Sequence, residues 1–284
     1  MVNTFSAPVV ELTDLNNLFI ELTAKNCNQR CKHCYIDFPI SKNIKDFISI
    51  DKIKSALNDT TKNNIQFIYL TGAEPMTHPE FNAILRLCLK RASVCICTNS
   101  TFINEKKARF LKKVEEESSN EIVFKLSIDH YNEVKNDDIR LRGAYRQTIN
   151  AIKSLIKYNF NPILNIVNYY NEDEEVLLME FTKICQNIGF ETTNFNFQIN
   201  KYYNKYKPLS ENFKLNDSNF DCKTGRILTE KGVYVCPFLA NDHRGRMGND
   251  FKDYSKKMYM ETNFCLTCSN NKSKIFSLNL KSFS

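Results

Sequence analysis

Six strand-like runs that alternate with helix-like segments constrain the fold of this chain more than any other sequence feature. The runs are mostly apolar or alternate apolar and polar residues, and they cover residues 18–23, 65–71, 94–98, 122–128, 162–167 and 193–199. Strands that alternate with helices form a parallel sheet through right-handed crossovers. The pattern predicts an α/β fold whose strands end at one shared edge, and the loops at that edge are where function usually lies.

The helical segments between the runs carry recognisable start and stop signals. Ser49 or Asp51 can cap a first helix, and Pro79 suits the first position of the second helix because its missing N–H is not needed there. Asn104 can cap the third helix. The segment 171–188 begins with acidic residues and is followed by Gly189, as a helix dipole and a C-cap both favour.

Three cysteines follow the first strand directly, with the spacing Cys27-x3-Cys31-x2-Cys34. Three thiolates on one short loop can bind three irons of a cubane [4Fe-4S] cluster and leave the fourth iron open, whereas electron-transfer clusters normally have four cysteines. The alternatives are a zinc knuckle and a disulfide loop. Zinc requires a fourth ligand, and only the poorly placed His33 is adjacent, while a disulfide is typical of secreted chains.

This triad resembles the signature of the radical S-adenosylmethionine (SAM) enzymes, with His33 at the aromatic position before the last cysteine. The resemblance implies a partial (β/α)6 barrel over roughly residues 16–200. It also implies a [4Fe-4S] cluster on Cys27, Cys31 and Cys34, whose open iron binds SAM through the amino and carboxylate groups of SAM.

The ends of later strands carry further likenesses to this family. Gly72-Ala73-Glu74 resembles the loop that binds the SAM amino group, although Ala73 replaces a second glycine. Small residues allow the backbone to approach a ligand, and a carboxylate satisfies an ammonium group. The resemblance also implies SAM contacts for a further set of residues: His33, Asn99, Ser127, Asp129 and Arg142.

A second cysteine set lies in the tail, where the alternation of strands and helices stops after about residue 200. It consists of Cys222, Cys236, Cys265 and Cys268. Four thiolates, two of them spaced Cys-x2-Cys, can close a zinc site or hold a second cluster.

The tail resembles the twitch appendage of radical SAM enzymes, a shorter relative of the SPASM domain. This implies an auxiliary [4Fe-4S] cluster closed by four cysteines. The full fold prediction is an α/β chain with an N-terminal extension (1–15), a partial (β/α)6 barrel (16–200) and a small C-terminal α+β cluster-binding appendage (201–284). A structural zinc ribbon is the alternative for the tail.

Composition and charge favour a cytoplasmic enzyme with an anionic or peptide partner. No segment has the length of a membrane span and no secretion signal is evident, so we expect no membrane association. Eleven cysteines in a reducing compartment favour metal ligation over disulfides. The formal charge of +7 is compatible with a small anionic substrate.

The resemblance implies that SAM is cleaved to a 5′-deoxyadenosyl radical that removes a hydrogen atom from a substrate. We expect peptide modification by crosslinking, oxidation or epimerisation. The alternative substrate is a sugar-like or phosphorylated metabolite that is dehydrogenated. A flavodoxin- or ferredoxin-type electron donor and a separate leader-peptide-binding protein are the expected partners. Cys97, which follows Cys95 on one face of strand three, is a candidate hydrogen donor.

A function of another class remains open from the sequence. A non-catalytic iron–sulfur or zinc protein could serve electron partners or bind nucleic acid, and the open three-cysteine site argues against it. We do not expect a nucleic-acid partner.

Overall fold

Seven parallel strands form most of a nine-stranded sheet in the computed structural model of this protein. The structure describes residues 8–38, 43–202, 220–260, 262–270 and 274–278, and every structural statement below concerns these residues. The strands are β1 (Val9–Glu11), β2 (Asn17–Thr23), β3 (Phe67–Gly72), β4 (Ser93–Thr98), β5 (Ile122–Ser127), β6 (Ile163–Asn168), β7 (Phe197–Lys201), β8 (Gly225–Thr229), β9 (Gly232–Tyr234), β10 (Arg246–Gly248) and β11 (Lys257–Tyr259).

All helices but the last connect successive strands of the sheet, and the last one follows β11. They are α1 (Ile50–Asp59), α2 (Phe81–Leu89), α3 (Glu105–Glu116), α4 (Glu133–Ile139), α5 (Ala144–Lys157), α6 (Glu174–Asn187) and α7 (Asn263–Asn270). The side chains of Ser49 and Asn104 cap α1 and α3, as predicted. The prediction for Pro79 was wrong, because α2 begins two residues later at Phe81.

The strands lie in the order β10-β9-β8-β2-β3-β4-β5-β6-β7. From β2 to β7 all neighbours are parallel, and β8 is also parallel to β2. The carboxyl ends of these strands therefore meet at one edge. This confirms the predicted α/β fold with a mostly parallel sheet.

The prediction for the last of the six strands needs correction. The sixth predicted strand starts at Phe197 rather than at residue 193, because Asn194–Asn196 form a 3-10 helix with Thr193 in a capping box. The tail also contributes to the main sheet, since β8 pairs with β2 from Asn17↔Gly225 to Ile20↔Leu228. A separate antiparallel pair, β1 with β11, joins the N-terminal residues to the tail.

Apolar side chains pack on both faces of the sheet. The larger cluster lies between the sheet and the helices and includes Ile20, Ile68, Ile96 and Phe181. A smaller cluster on the opposite face contains Phe19, Tyr69, Cys95, Ile227 and Leu278. A sheet buried on both faces explains why its strands read as almost continuous apolar runs.

Candidate functional site

A cavity of about 500 Å³ opens where the parallel strands end. Residues at or just after the ends of β3, β4, β5, β6 and β7 all line it, so five consecutive strands contribute to one chamber. The sequence-predicted site residues that line it are His33, Gly72, Ala73, Cys97, Asn99 and Ser127, together with the three cysteines of the triad. The parallel register places them together, although they are far apart in the sequence.

The loop that carries Cys27, Cys31 and Cys34 is fixed by local hydrogen bonds. The amide N–H of Cys34 donates to the carbonyl of Cys31 at 3.0 Å. The Asn99 side-chain amide at the end of β4 lies 3.7 Å from Cys27 Sγ and donates to Asn28 Oδ1 at 2.8 Å. All three thiols are partly exposed to the cavity and carry no disulfide.

The thiols of the triad influence one another. Burial raises the pKa of Cys31 to about 11, the Arg140 guanidinium opposes this shift, and the neighbouring Cys34 and Cys27 add to it. Burial also raises the pKa of Cys27. Metal binding must therefore displace protons from these thiols, as it does whenever cysteine becomes a ligand.

The loop after β3 explains why a glycine stands at position 72. Gly72 has a φ of +123°, and a Cβ there would lie 2.2 Å from the carbonyl oxygen of Thr23. The amide of Ala73 donates to that same carbonyl at 2.7 Å. The positive φ falls on Gly72 and not on Ala73, so an alanine at position 73 is compatible with the loop.

Glu74 lies beside the cavity rather than in its lining. Its side chain is fully buried and accepts hydrogen bonds from Met76 N (3.1 Å), Thr98 Oγ1 (2.8 Å) and Asn99 N (2.8 Å). Burial raises the pKa of Glu74 to about 7 against the effect of these bonds. The carboxylate thus joins the ends of β3 and β4 in this structure.

Ser100, which follows Asn99 after the end of β4, has an uncommon backbone conformation. It is buried, it has a φ of +71°, and its hydroxyl has no hydrogen-bond partner among the described residues. Non-glycine residues in this left-handed region are strained. The fold therefore holds Ser100 in this conformation at some cost in conformational energy.

The segment after β5 contains the main difference from the sequence prediction. Ser127 lines the cavity, whereas the Asp129 carboxylate is fully buried and already bonded to protein groups. Arg142 is exposed and does not line the cavity, while Arg140, two residues earlier, is 7% exposed and does line it. Sequence reasoning missed Arg140 because an Arg-x-Arg segment does not reveal which side chain points inward.

Asp129 is the centre of a buried polar group. His33 Nε2 lies 2.6 Å from Asp129 Oδ2, and Arg140 Nε forms an ion pair with the same oxygen at 2.6 Å. Burial would raise the pKa of Asp129, but Arg140 and His33 together lower it well below its usual range. The carboxylate is therefore ionised, and His33 Nε2 acts as the donor in its bond.

Cys97 and Lys125 face the interior of the cavity from β4 and β5. A hydrogen bond with Cys95 lowers the pKa of Cys97, against the effect of burial, and Lys125 lowers it further. The buried Lys125 ammonium donates to the carbonyls of Ile275 (2.8 Å) and Phe276 (2.9 Å). Cys95, by contrast, is buried and does not line the cavity.

The segment 274–278 forms part of the cavity wall, which sequence reasoning did not anticipate. The Asp221 carboxylate accepts hydrogen bonds from the amides of Ile275, Phe276 and Ser277. Ile275 and Phe276 line the cavity. Nothing in the local sequence predicts this placement, because it depends on buried partners on β5 and in the tail.

The four tail cysteines surround a second, much smaller cavity. Burial raises the pKa of Cys222 to about 12, and the neighbouring Cys265 adds to this shift. Burial also raises the pKa of Cys236 and Cys268 well above the usual value, with contributions from the other thiols of the set. Cys222, Cys236, Cys265 and Cys268 therefore lie close enough to interact electrostatically.

Neither cysteine set has the arrangement of a site for one ion. Within the described part of the chain, no group of three or more His, Cys, Asp or Glu side chains is placed to hold a metal ion. A cubane cluster differs from a single ion, because each thiolate binds a separate iron and the ligands surround a volume. Both sets fit this requirement in donor chemistry, since each consists of thiols that form no disulfide and line a cavity.

The family comparison identifies the class to which this cavity belongs. A model of the radical SAM superfamily matches residues 22–182, more than half of the chain. The protein therefore belongs to the radical SAM superfamily and is an enzyme. The family implies a [4Fe-4S] cluster and SAM as its cofactors.

One curated relative matches about half of this chain. The chain is 31% identical over 137 residues to the antilisterial bacteriocin subtilosin biosynthesis protein AlbA of Bacillus subtilis (strain 168). The match covers 48% of this chain but 29% of AlbA.

Solved structures share the fold at low sequence identity. Native anSMEcpe with bound AdoMet has a TM-score of 0.63 at 16% identity, covering 90% of this chain and 84% of that structure. Streptococcus suis SuiB bound to precursor peptide SuiA has a TM-score of 0.62 at 13% identity, covering 96% and 68%. At these identities the likeness shows the fold alone.

Within the described residues, no helix combines the length and the apolar character needed to span a bilayer.

Proposed function

We propose that this protein is a radical SAM enzyme that modifies a peptide by abstracting a hydrogen atom from it. The observation that carries the proposal is the joint placement of the cysteine triad and the strand-end residues around one cavity of about 500 Å³. A chamber of this size suits a cofactor together with part of a substrate. The sequence relation to AlbA, a bacteriocin biosynthesis protein, favours a peptide as substrate.

Cys27, Cys31 and Cys34 would hold the [4Fe-4S] cluster. When bound, this group supplies the electron that cleaves SAM to methionine and a 5′-deoxyadenosyl radical. The backbone at Gly72 and Ala73 would approach SAM closely, and Asn99 and Ser127 would offer it polar contacts from the ends of β4 and β5. The strand-end wall would hold SAM and substrate in contact and exclude water.

The interior of the chamber has the side chains to hold a substrate in one orientation. The aromatic rings of Phe38, Phe238 and Phe276 form an apolar wall, and Asn165 and Asn200 present amide groups. The Asn200 amide donates to Asn165 Oδ1 at 3.1 Å. An apolar wall with a few fixed polar groups is typical of sites that orient a ligand. Cys97 is the candidate that could return a hydrogen atom.

We further propose that Cys222, Cys236, Cys265 and Cys268 hold an auxiliary [4Fe-4S] cluster in a twitch-type appendage. Their mutual electrostatic effects around one small cavity support this assignment over a simple set of core thiols. Four protein ligands would close the cluster and suit it to electron transfer. The appendage would span about residues 201–284 and the partial (β/α)6 barrel about 16–200, after an N-terminal extension of residues 1–15.

Two partners would complete the reaction. A flavodoxin- or ferredoxin-type protein would deliver the electron to the triad, and a separate leader-binding protein would present the peptide. The positive surplus of +7 favours association with acidic proteins of this kind.

The first test is anaerobic reconstitution with iron and sulfide, followed by SAM and dithionite, with 5′-deoxyadenosine measured by chromatography. We expect the wild type to produce it and a Cys27→Ala/Cys31→Ala/Cys34→Ala variant to produce none. Cys185→Ala, at a buried cysteine outside both sets, is the matched control and should behave like the wild type. Formation of 5′-deoxyadenosine by the triple variant would contradict the proposal.

The substrate class needs its own test. The enzyme is co-expressed with the short peptides encoded beside its own gene, and their intact masses are compared with those from the triple variant. A crosslink or dehydrogenation removes two hydrogen atoms from the peptide, which a mass spectrometer detects. Epimerisation leaves the mass unchanged and is detected by chiral amino-acid analysis of the hydrolysed peptide. Peptides unchanged in both measurements, together with active SAM cleavage, would favour a small-molecule substrate instead.

A further inference from the structure

The cysteine loop is attached to the segment after β5 by contacts that the radical SAM signature does not require. The amide of Lys32 donates to the carbonyl of Ile139 at 2.9 Å, and the Lys32 ammonium forms an ion pair with Asp138 at 2.6 Å. Next to it, His33 bonds to Asp129 at 2.6 Å. Two consecutive residues between the second and third cysteines therefore hold the loop to α4 and to the residues that flank it.

Asp129 cannot easily move away from these partners. Its Oδ1 accepts from the amide of Val167 at 3.1 Å, and its own amide donates to Asn136 Oδ1 at 3.0 Å. The Asp129 side chain is 0% exposed and that of Arg140 is 5% exposed. A buried carboxylate held on both sides is a rigid anchor for whatever binds its remaining oxygen.

Arg140 connects this anchor to a cluster ligand. Its Nε pairs with Asp129 Oδ2 at 2.6 Å, and its Nη1 donates to Cys31 Sγ at 3.8 Å. The contacts form a continuous chain from His33 through Asp129 and Arg140 to Cys31. Hydrogen bonds and charges next to a cluster thiolate change its reduction potential, since the reduced cluster carries one more negative charge.

His33 suits this position because its ring has both an apolar body and a polar end. The ring lines the cavity and lies 6.4 Å from the ring of Tyr169, while Nε2 reaches Asp129. A phenylalanine would provide the ring without the hydrogen bond, whereas a glutamine would provide an N–H donor without the ring.

We propose that His33 and Asp129 are positioning residues, which fix the cysteine loop and hold the Arg140 guanidinium against Cys31. Through this placement they set the reduction potential of the cluster on the triad. This inference rests on the proposed cluster at Cys27, Cys31 and Cys34. It replaces the expectation that His33 and Asp129 act mainly as SAM contacts.

The test measures the reduction potential of the reconstituted full-length protein without SAM, by redox titration monitored by electron paramagnetic resonance. A Cys236→Ala/Cys268→Ala background removes signals from the proposed tail cluster. Arg140→Leu should lower the potential, because a positive charge near the thiolate is lost. Asp129→Asn should lower it less, because the guanidinium remains in the protein but is no longer held against Cys31. Arg146→Leu is the matched control, since Arg146 also pairs with a carboxylate but is 76% exposed, and it should leave the potential unchanged.

The contribution of His33 is tested with two substitutions at the same position. His33→Phe should shift the potential and speed the loss of iron to a chelator several-fold, whereas His33→Gln should restore behaviour close to the wild type. The amount of bound iron at the start of each assay shows whether a variant has folded around its cluster.

Two outcomes would overturn the inference. In one, all three positions leave the SAM-free potential and the rate of iron loss unchanged and alter only SAM affinity, as simple SAM contacts would. In the other, His33→Gln shifts the potential and speeds iron loss as much as His33→Phe does, which would show that an N–H donor at this position is not what holds the loop. Absence of 5′-deoxyadenosine from the wild type would instead count against the proposed function, because these measurements need no SAM cleavage.

Discussion

The two cysteine sets of this protein differ in the surroundings that the fold gives them. The triad lies at the carboxyl ends of parallel strands, beside a cavity of about 500 Å³ with polar and charged side chains. The tail set lies around a much smaller cavity lined mainly by apolar residues such as Leu239, Met258 and Met260. The cavity beside the triad can admit a polar ligand, whereas the cavity among the tail cysteines is suited to enclosing a group that stays bound.

The two cavities share a wall of three phenylalanines. Phe238, Phe264 and Phe276 line both of them, and the Phe238 and Phe276 rings meet edge to face at 4.6 Å. Tyr35, the residue after Cys34, packs against Phe238 at 5.6 Å. An apolar partition of this kind keeps the chambers chemically separate while leaving them close together.

The largest expected effect comes from removing one cysteine set at a time. If both sets hold cubane clusters, the reconstituted wild type contains about eight irons. A variant in which one of the two cysteine sets is replaced by alanine should contain about four. We expect the tail variant to retain cleavage of SAM in the presence of dithionite, because the triad is intact. Iron analysis and 5′-deoxyadenosine assays measure both quantities. Complete loss of SAM cleavage in the tail variant, with four irons still bound, would remove the functional distinction between the two sites.

Gly72→Ala should have the next largest effect, at the edge of the first site. A Cβ would meet the Thr23 carbonyl at 2.2 Å, and the φ of +123° is unfavourable for alanine. We expect a loss of ~3 kcal/mol in the free energy of unfolding and weaker SAM binding. Urea unfolding and equilibrium dialysis with labelled SAM measure these effects. Gly189→Ala, where a Cβ has open space at a positive φ, is the control for backbone strain alone and should cost less.

Glu21 links β2 to the tail and should make folding stability depend on pH. Burial raises its pKa from 4.5 to about 7, although the bond from Asn241 Nδ2 at 2.7 Å opposes the shift. The folded state therefore binds the proton more tightly than the unfolded chain, and stability falls as pH rises from about 4.5 to about 7. Glu21→Gln keeps an oxygen for Asn241 and removes this charge.

We expect Glu21 to account for a loss of ~2 kcal/mol of stability between pH 5.5 and pH 7.5 in the wild type, and this part of the loss to be absent from the Glu21→Gln variant. Glu74, whose pKa is also raised by burial to about 7, adds a loss of the same sign that remains in the variant. Unfolding curves at both pH values give the comparison. An identical pH dependence in both proteins would show that Glu21 does not titrate in this range.

Ser100→Gly should have the smallest effect. Glycine removes the backbone strain at a φ of 71° and also removes a buried hydroxyl that has no partner among the described residues. Against this, glycine increases the conformational entropy of the unfolded chain, which lowers stability. We expect a net stabilisation of up to ~1 kcal/mol in unfolding experiments. A clear loss of stability would indicate that the hydroxyl makes a contact that this conformation does not contain.

The sequence was sufficient for much of the fold because the relevant signals are local. Runs of apolar residues predicted β2 to β6, and caps such as Ser49 and Asn104 fixed the helix starts. Local signals could not predict strand pairing between distant segments. The parallel partner of β8 is β2, which lies about 200 residues earlier. A short strand in a tail carries no information about which edge of a sheet it joins.

The sequence by itself also carries the chemical signals of the proposed site, since the spacing of the three cysteines and the small residues at positions 72 and 73 can be read without the rest of the chain. Only the tertiary structure decided which polar side chains face the cavity. It buried Glu74 and Asp129 beside the cavity and selected Arg140 instead of Arg142. The physical reason is that a side chain's direction after a strand end depends on packing and charge pairing with distant partners.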